Sequence, residues 1–539
     1  MASSWSGRTA ARGAPPWRRN FRQLVVVCSM TAVVGATLQL NKLAVLDGAG
    51  REFAQTTYGS KSAFLVPFAL FKAACNLLVG GLADRHGRKP VALFGSVVGL
   101  VPPVMVLAAS GAGDGSGWPA FVASAAFLGV HQGITWTCCI LITMDLCGPR
   151  ARGLASGLSE TVGYTFIAIF AEVYGALERA SVTCAWAEGT VASPECLEAS
   201  RGACGTPDDW VAECTGQCVC SGYALAPFAL QLALAAVGVG VATAALRESR
   251  SAPKAAVATG GEVALAEAAP GGERELKRDA RIAEAAKADA FVELEALESD
   301  DDALLEPARA RAGDGGTRTD FGDFQHSERL RVSFARASWG DRNLAVVCVA
   351  GFCANFETGM AWGLLASWAR DGLGVGGARR DAFMAAYSFL KGFSQIAAGV
   401  ASDRVGRRWP MSVGLLGGAA SLLLAAFGAG YDGQYLSHDT LDARFANLMA
   451  SGVLLGLFTG LMYPVLAAAA ADHAPAGRLA GTVSTVRFWR DLGYAMGMPV
   501  AAIADASQPE TALIFVACVM AAAGALVAVA YAEKHPHRA

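Results

Sequence analysis

Residues 62–90 read SAFLVPFALFKAACNLLVGGLADRHGRKP. An apolar run carries one lysine, Lys72, at its middle and then closes on a basic turn. Residues 381–410, DAFMAAYSFLKGFSQIAAGVASDRVGRRWP, repeat the arrangement around Lys391. Read as a helix at about 1.5 Å per residue, the 12 residues from Lys72 to Asp84 span about 18 Å. That depth is close to the centre of a bilayer core about 30 Å thick.

The rest of the chain agrees with a membrane reading. Of 539 residues, 53% are hydrophobic and 17% charged, and mean hydropathy is +0.38. A soluble chain of this length carries more charge. Runs near 23–46, 62–83, 90–110, 118–142, 153–177, 223–246, 343–366, 381–402, 410–429, 446–470, 479–504 and 510–532 are each long and apolar enough to predict a spanning helix. Their Gly and Ala content favours close helix packing, and they lack the period-two alternation of a membrane barrel. The predicted fold is an all-α membrane protein of two pseudo-symmetric six-helix bundles.

Net charge is −2, which gives no case for a nucleic-acid partner. The distribution of charge says more. Arg8, Arg12, Arg18, Arg19 and Arg22 precede the first span, and basic clusters follow spans two, four, eight and twelve. The positive-inside rule then puts both termini in the cytosol. Arg379 and Arg380 break the pattern. The expected organisation is a basic cytosolic tail (1–22), preferred to an organelle transit peptide, then a first bundle (23–246) with an extracellular Cys-rich loop (178–222). A cytosolic linker (247–342), a second bundle (343–532) and a short cytosolic tail (533–539) follow. The linker holds ESDDD and AGDGGTRTD, a composition that cannot bury enough apolar surface to fold alone. Residues 273–298 have the spacing of an amphipathic helix, and Ser333 lies in a basic context that suits phosphorylation.

An offset of 319 residues superposes the two quoted stretches. Lys72 meets Lys391, Gly80 meets Gly399 and Asp84 meets Asp403. Arg85, Gly87 and Arg88 meet Arg404, Gly406 and Arg407. ETVGY at 160–164 echoes RDLGY at 490–494. A repeat across two six-span halves points to a secondary transporter with its site near mid-bilayer.

The doubled G-x-x-x-D-R-x-G-R-[K/R] resembles motif A of the major facilitator superfamily, in both places where that family carries it. RARGLASGLSETVGY and RFWRDLGYA further resemble a branch of bacterial and algal facilitators. The resemblance implies alternating access, with Asp84 latched against the start of span eleven. The motif also makes physical sense alone. Gly80 and Gly399 allow close helix approach, and Gly87 and Gly406 suit a turn with positive φ. Asp84 and Asp403 suit exposed amides at a helix N-terminus, and the arginines hold the loop among lipid headgroups.

A lysine at mid-bilayer costs about 2.5–3.5 kcal/mol or more unless it faces a wet cavity or a partner. Lys72 and Lys391, related by the repeat, are expected to face each other with something negative between them: a substrate anion, or Glu357 or Glu160. Glu357 is the preferred proton carrier and His131 the second candidate. Glu160 and Arg490 occupy matching places in the repeat, and with Asp491 they suggest ion pairs that rearrange during transport. Asn355, Trp362, Trp136, Tyr164, Tyr463 and Trp489 are further candidates for the cavity wall.

Six cysteines, Cys184, Cys196, Cys204, Cys214, Cys218 and Cys220, crowd the loop between spans five and six. In an oxidising space they suit disulfides, with 15 pairings open, and that favours the plasma membrane or another secretory-pathway membrane. A metal site is the rival. No phosphate-binding loop or zinc-protease motif occurs. The expectation is therefore a monomeric carrier, not an enzyme, in contact with lipid and using no cofactor or metal. Its predicted cargo is a small anion, with protons as the candidate coupling ion. The alternatives are efflux of hydrophobic or cationic compounds, and a sensor without transport.

Overall fold

The computed structural model describes residues 18, 20–53, 55–109, 117–148, 151–181, 183–186, 218–221, 225–249, 334–375, 377–428, 441–475 and 478–534. They belong to one compact unit, Met1–Ala252 with Val332–Ala539. Spans one to six are Phe21–Glu52, Tyr58–Lys61 with Leu65–His86, Arg88–Val98 with Val101–Ala109, Trp118–Cys147, Arg152–Ser181, and Leu225–Ala244. Spans seven to twelve begin with Arg342–Asp371 and Gly377–Val405. Arg408–Gly428, Leu441–Asp472, Leu479–Ala506 and Pro509–Ala530 complete them.

Ten of these segments are long and apolar enough to cross a membrane. Spans eight and eleven are not among the ten. Span eight carries Arg379, Arg380, Asp381 and Lys391, and span eleven carries Arg487, Arg490 and Asp491 and changes winding partway. These are the helices whose polar faces turn inward. Membrane helices tolerate such residues where they face the bundle interior.

Within the first half, span four packs on two and three, and span one on five and six. Within the second, span ten packs on eight and nine, and span twelve on seven and nine. The halves meet through span five on eight and span two on eleven. Glycine makes these crossings close. A side chain at Gly399 would strike the Gly153 carbonyl, and one at Gly80 would strike Ser484 and the Ala480 carbonyl.

The two basic turns are built alike. Gly87 has φ 92° and Gly406 φ 96°, a region that a residue with a Cβ rarely adopts. Each turn opens a helix whose first amides are capped by a distant glutamate. Arg88 and Lys89 amides donate to Glu248, and Arg407 and Arg408 amides donate to Glu533. Arg88 pairs with Asp145 at 3.0 Å and Arg407 with Asp472 at 2.9 Å. The repeat thus extends to the ion pairs below the turns.

The segment expected to be linker up to residue 342 is helical from Phe334, with a π turn at Arg336–Gly340. It docks on span eleven: Phe334 packs on Phe488 and Trp489, and the Trp489 indole donates to Ser338 at 2.9 Å. Trp489 therefore anchors this segment and does not line the centre. Residues 273–298 and Ser333 lie outside the described residues.

A short antiparallel pair, Thr183–Trp186 with Cys218–Ser221, sets Cys184 opposite Cys220 and Trp186 opposite Cys218. Cys196, Cys204 and Cys214 lie outside the described residues. The eight cysteines whose side chains are described are free, and no disulfide occurs among the described residues.

Candidate functional site

Spans seven and eleven both lose regular α-winding where they face the interior. Span seven forms a π segment at Ala361–Leu365, and span eleven a 3-10 segment at Gly493–Met496. π segments inside α-helices are frequent at functional sites, and irregular backbone at membrane depth is tolerated where it is buried in protein or lines a cavity. The two irregular segments meet: Trp362 stacks on Tyr494, with ring centroids 4.9 Å apart.

Around this stack lies a buried polar centre. Lys72 Nζ is 3.4 Å from Asp491 and 4.3 Å from the centre of the Tyr494 ring. Asp491 also accepts from Asn355 at 2.7 Å and from Asn76, and it contacts Arg490 at 3.2 Å. Lys391 Nζ is 3.7 Å from Glu357 and donates to Thr358 at 2.7 Å and to Tyr387 at 2.9 Å. Glu357 accepts from Thr358 and Tyr387, both at 3.0 Å. Tyr463 joins the two clusters, touching Thr358 at 2.7 Å and donating to Asn355. A continuous hydrogen-bonded chain therefore runs from the Lys391–Glu357 pair to the Lys72–Asp491 pair.

Each lysine is thus matched with a protein acid. Lys391 has Glu357, one of the two partners expected from the sequence. The partner of Lys72 is Asp491 rather than Glu160 or Glu357. Glu160 of span five instead sits 3.4 Å from both Arg487 and Arg490 of span eleven, a bridge between the halves.

His131 stands away from this centre. It is buried between spans three and four, with Nδ1 2.8 Å from the Gly95 carbonyl, where a side chain at Gly99 would strike its ring. Trp136 packs against Tyr164, and Tyr164 against Tyr463, so these aromatics do border the centre.

Sequence reasoning missed Lys42. It lies in span one, fully buried, with Nζ 4.5 Å above the Trp362 ring, and Nζ has no hydrogen-bond or ion-pair partner among the described residues. The side-chain amide of Gln39, one turn away on the same helix face, and the Trp362 indole N–H are also unpartnered. The available signal was the polar sequence Gln39, Asn41, Lys42, Asp47. Span one runs on past residue 46 to Glu52, which sets these residues deeper in it than the run 23–46 suggests.

Both ends of the centre are closed. On the face carrying the two basic turns, Asp403 accepts from the amides of Gly153 and Leu154, each at 3.2 Å, and Arg407 lies 2.7 Å from Asp403. Arg152 reaches Asp472 at 3.6 Å. This is the helix-terminus contact that the repeat predicts, seen in the second half. The Asp84 side chain lies outside the described residues, although Gly80 makes the equivalent close crossing. On the opposite face, Asp47 meets Arg370 at 2.8 Å and Arg380 at 2.7 Å. Lys61 meets Asp371 at 2.6 Å, and Asp505 accepts from the amides of Tyr58 and Gly59. All of these join the first half to the second.

A hollow of about 790 Å³ lies elsewhere, bordered by spans one and five, by Cys147 of span four and by Leu234 of span six. Its walls are almost wholly apolar, among them Leu24, Val25, Val162, Phe166 and Phe170, so it offers none of the centre's chemistry.

Known proteins share this architecture. The profile of the Major Facilitator Superfamily matches residues 25–177 and 347–539. Among solved structures, the human organic anion transporter MFSD10 (TETRAN) superposes with a TM-score of 0.56 at 14% identity, covering 95% of this chain and 100% of that one. The xylose transporter XylE from E. coli gives 0.58 at 11%, covering 95% and 98%. A POT family transporter in complex with a thioalcohol-conjugated peptide gives 0.56 at 11%, covering 94% and 95%. No curated protein sequence matches the chain. At these identities the likeness concerns the fold.

Proposed function

This chain belongs to the major facilitator superfamily and is a multi-pass membrane carrier rather than an enzyme, and from that premise we propose that its cargo is a small anion. Carriers of this fold move solutes by alternating access, with the site near mid-bilayer. The observation that carries the reading is the charge of the buried centre. Lys42, Lys72, Lys391, Arg487 and Arg490 stand against Glu160, Glu357 and Asp491. Two positive charges thus exceed what the protein's own acids balance there. Excess buried charge is costly unless it is paired, and an anionic solute supplies the pair.

Glu357 is the candidate proton carrier. It is buried and hydrogen-bonded, and it is joined through Thr358, Tyr463 and Asn355 to the second ion pair. Protonating Glu357 releases Lys391 from its acid, so proton and anion binding would favour each other. The face with the basic turns is taken as cytosolic by the positive-inside rule.

Proteoliposomes holding the purified protein test this directly, with labelled lactate, benzoate, succinate, phosphate, sulfate and tetraethylammonium offered under an imposed pH gradient. Accumulation of an anion is expected. Uptake of the cation alone, or of nothing, would overturn the reading.

A further inference from the structure

We infer that Lys42, Gln39 and Trp362 form the binding site for a carboxylate borne on an apolar body. This deepens the anion reading above and rests on it. The other four buried cations of the centre each have a protein acid within 4 Å: Asp491 for Lys72, Glu357 for Lys391, and Glu160 for Arg487 and Arg490. Lys42 has none. An ammonium so placed favours an incoming anion over any contact the protein makes to it.

The neighbouring groups narrow the anion. Gln39 Nε2 and Trp362 Nε1 are buried donors without acceptors among the described residues. With the ammonium they offer N–H groups from two helices, one in each half of the repeat. A carboxylate has two oxygens and about four lone-pair positions, enough to accept from all three. Trp362 is held by the π segment of span seven, so its indole is fixed by stacking on Tyr494 and by Phe68, whose ring centroid is 6.4 Å away. Lys42 and Tyr494 cover the faces of Trp362, so the ring edges and Phe68 are what a hydrocarbon or aromatic body would lie against. They compensate poorly for the lost hydration of sulfate or phosphate, which carry polar oxygens on every side. Because Lys42 belongs to span one and Trp362 to span seven, a ligand held by both bridges the two halves.

The test uses the same proteoliposomes, with benzoate and lactate as carboxylate probes and phosphate and sulfate as rivals. Lys42→Gln should raise the half-saturation concentration for the transported carboxylate at least tenfold, and Lys42→Arg should recover part of that loss. Trp362→Phe, which keeps the ring and removes the N–H, should raise it about threefold or more. Anion-dependent thermal stabilisation of the detergent-purified protein should fall in the same order. Lys42→Arg and Trp362→Phe carry the test if Lys42→Gln does not fold. Carboxylate transport with unchanged half-saturation in these variants overturns the site and leaves the anion reading intact. Transport of phosphate or sulfate without carboxylate overturns the ligand class. Absence of any anion transport by the parent protein removes both.

Discussion

Asp47 of span one and Arg380 of span eight meet at 2.7 Å across the two halves of the chain. Arg380 had stood out in the sequence as a positive charge on the wrong side of the membrane. Its setting explains it. It is buried against Asp47, Asp381 at 2.9 Å and Glu178 at 3.8 Å, while Asp47 also accepts from Tyr174 at 2.8 Å. A cation neutralised in this way is no longer a topogenic signal but part of a closure.

Asp47→Asn should loosen that closure. Removing one partner of a buried pair costs up to about 3–5 kcal/mol, and the remaining acids around Arg380 reduce the loss here. The expected result is a lower melting temperature. Faster hydrogen exchange over residues 45–62 and 365–385 should accompany it, with little change near residues 150–158. Exchange that rises equally at both ends would mean general destabilisation instead of a gate.

The opposite closure depends on glycine. A Cβ at position 399 collides with the Gly153 carbonyl, and backbone cannot move aside as a flexible side chain does. Gly399→Val should therefore hold spans five and eight apart and expose the amides that Asp403 caps. Exchange should quicken over residues 151–158, and transport should fall at least tenfold. Unchanged exchange there would show that the crossing is not needed to close this face.

The fold was legible because its signals are long: twelve apolar runs, one offset of 319 residues and a doubled turn. Lys72, Lys391, Glu357, Glu160, Arg490 and Asp491 were legible as buried charge. Their pairing was legible only in part: Glu357 was an expected partner, but Asp491 was not, because the repeat suggests that equivalent residues face one another. Span eleven instead supplies Asp491 to Lys72, and span seven supplies Glu357 to Lys391. Lys42, Asp47 and Arg370 were missed for a related reason. Nothing in the sequence marks where spans one and seven end: span one runs on past residue 46 to Glu52, and span seven past residue 366 to Asp371, which takes in Arg370. Glu248 and Glu533 were also missed, since a cap supplied from more than a hundred residues away leaves no local pattern.

Glu357→Gln keeps the shape of the side chain and the hydrogen bond from Tyr387 while removing the charge that neutralises Lys391. Under the proton-coupling proposal, accumulation driven by a pH gradient should be lost. Exchange of labelled for unlabelled anion at equal concentration should continue. Gradient-driven accumulation that survives the substitution assigns the proton elsewhere.

Lys72 now carries a different expectation from Lys42. Its ammonium balances Asp491, which also holds Asn76 and Asn355 in place. Lys72→Met therefore leaves a buried carboxylate short of charge and should lower the melting temperature, as should Asp491→Asn alone by leaving the ammonium unmatched. Groups in direct contact couple by about 0.5–3 kcal/mol in double-mutant cycles, so Lys72→Met combined with Asp491→Asn should be more stable than the sum of the single losses. Half-saturation for the anion should rise far less in Lys72→Met than in Lys42→Gln. Additive stability losses, or a larger effect on half-saturation at Lys72, would return Lys72 to the cargo site and take Lys42 out of it.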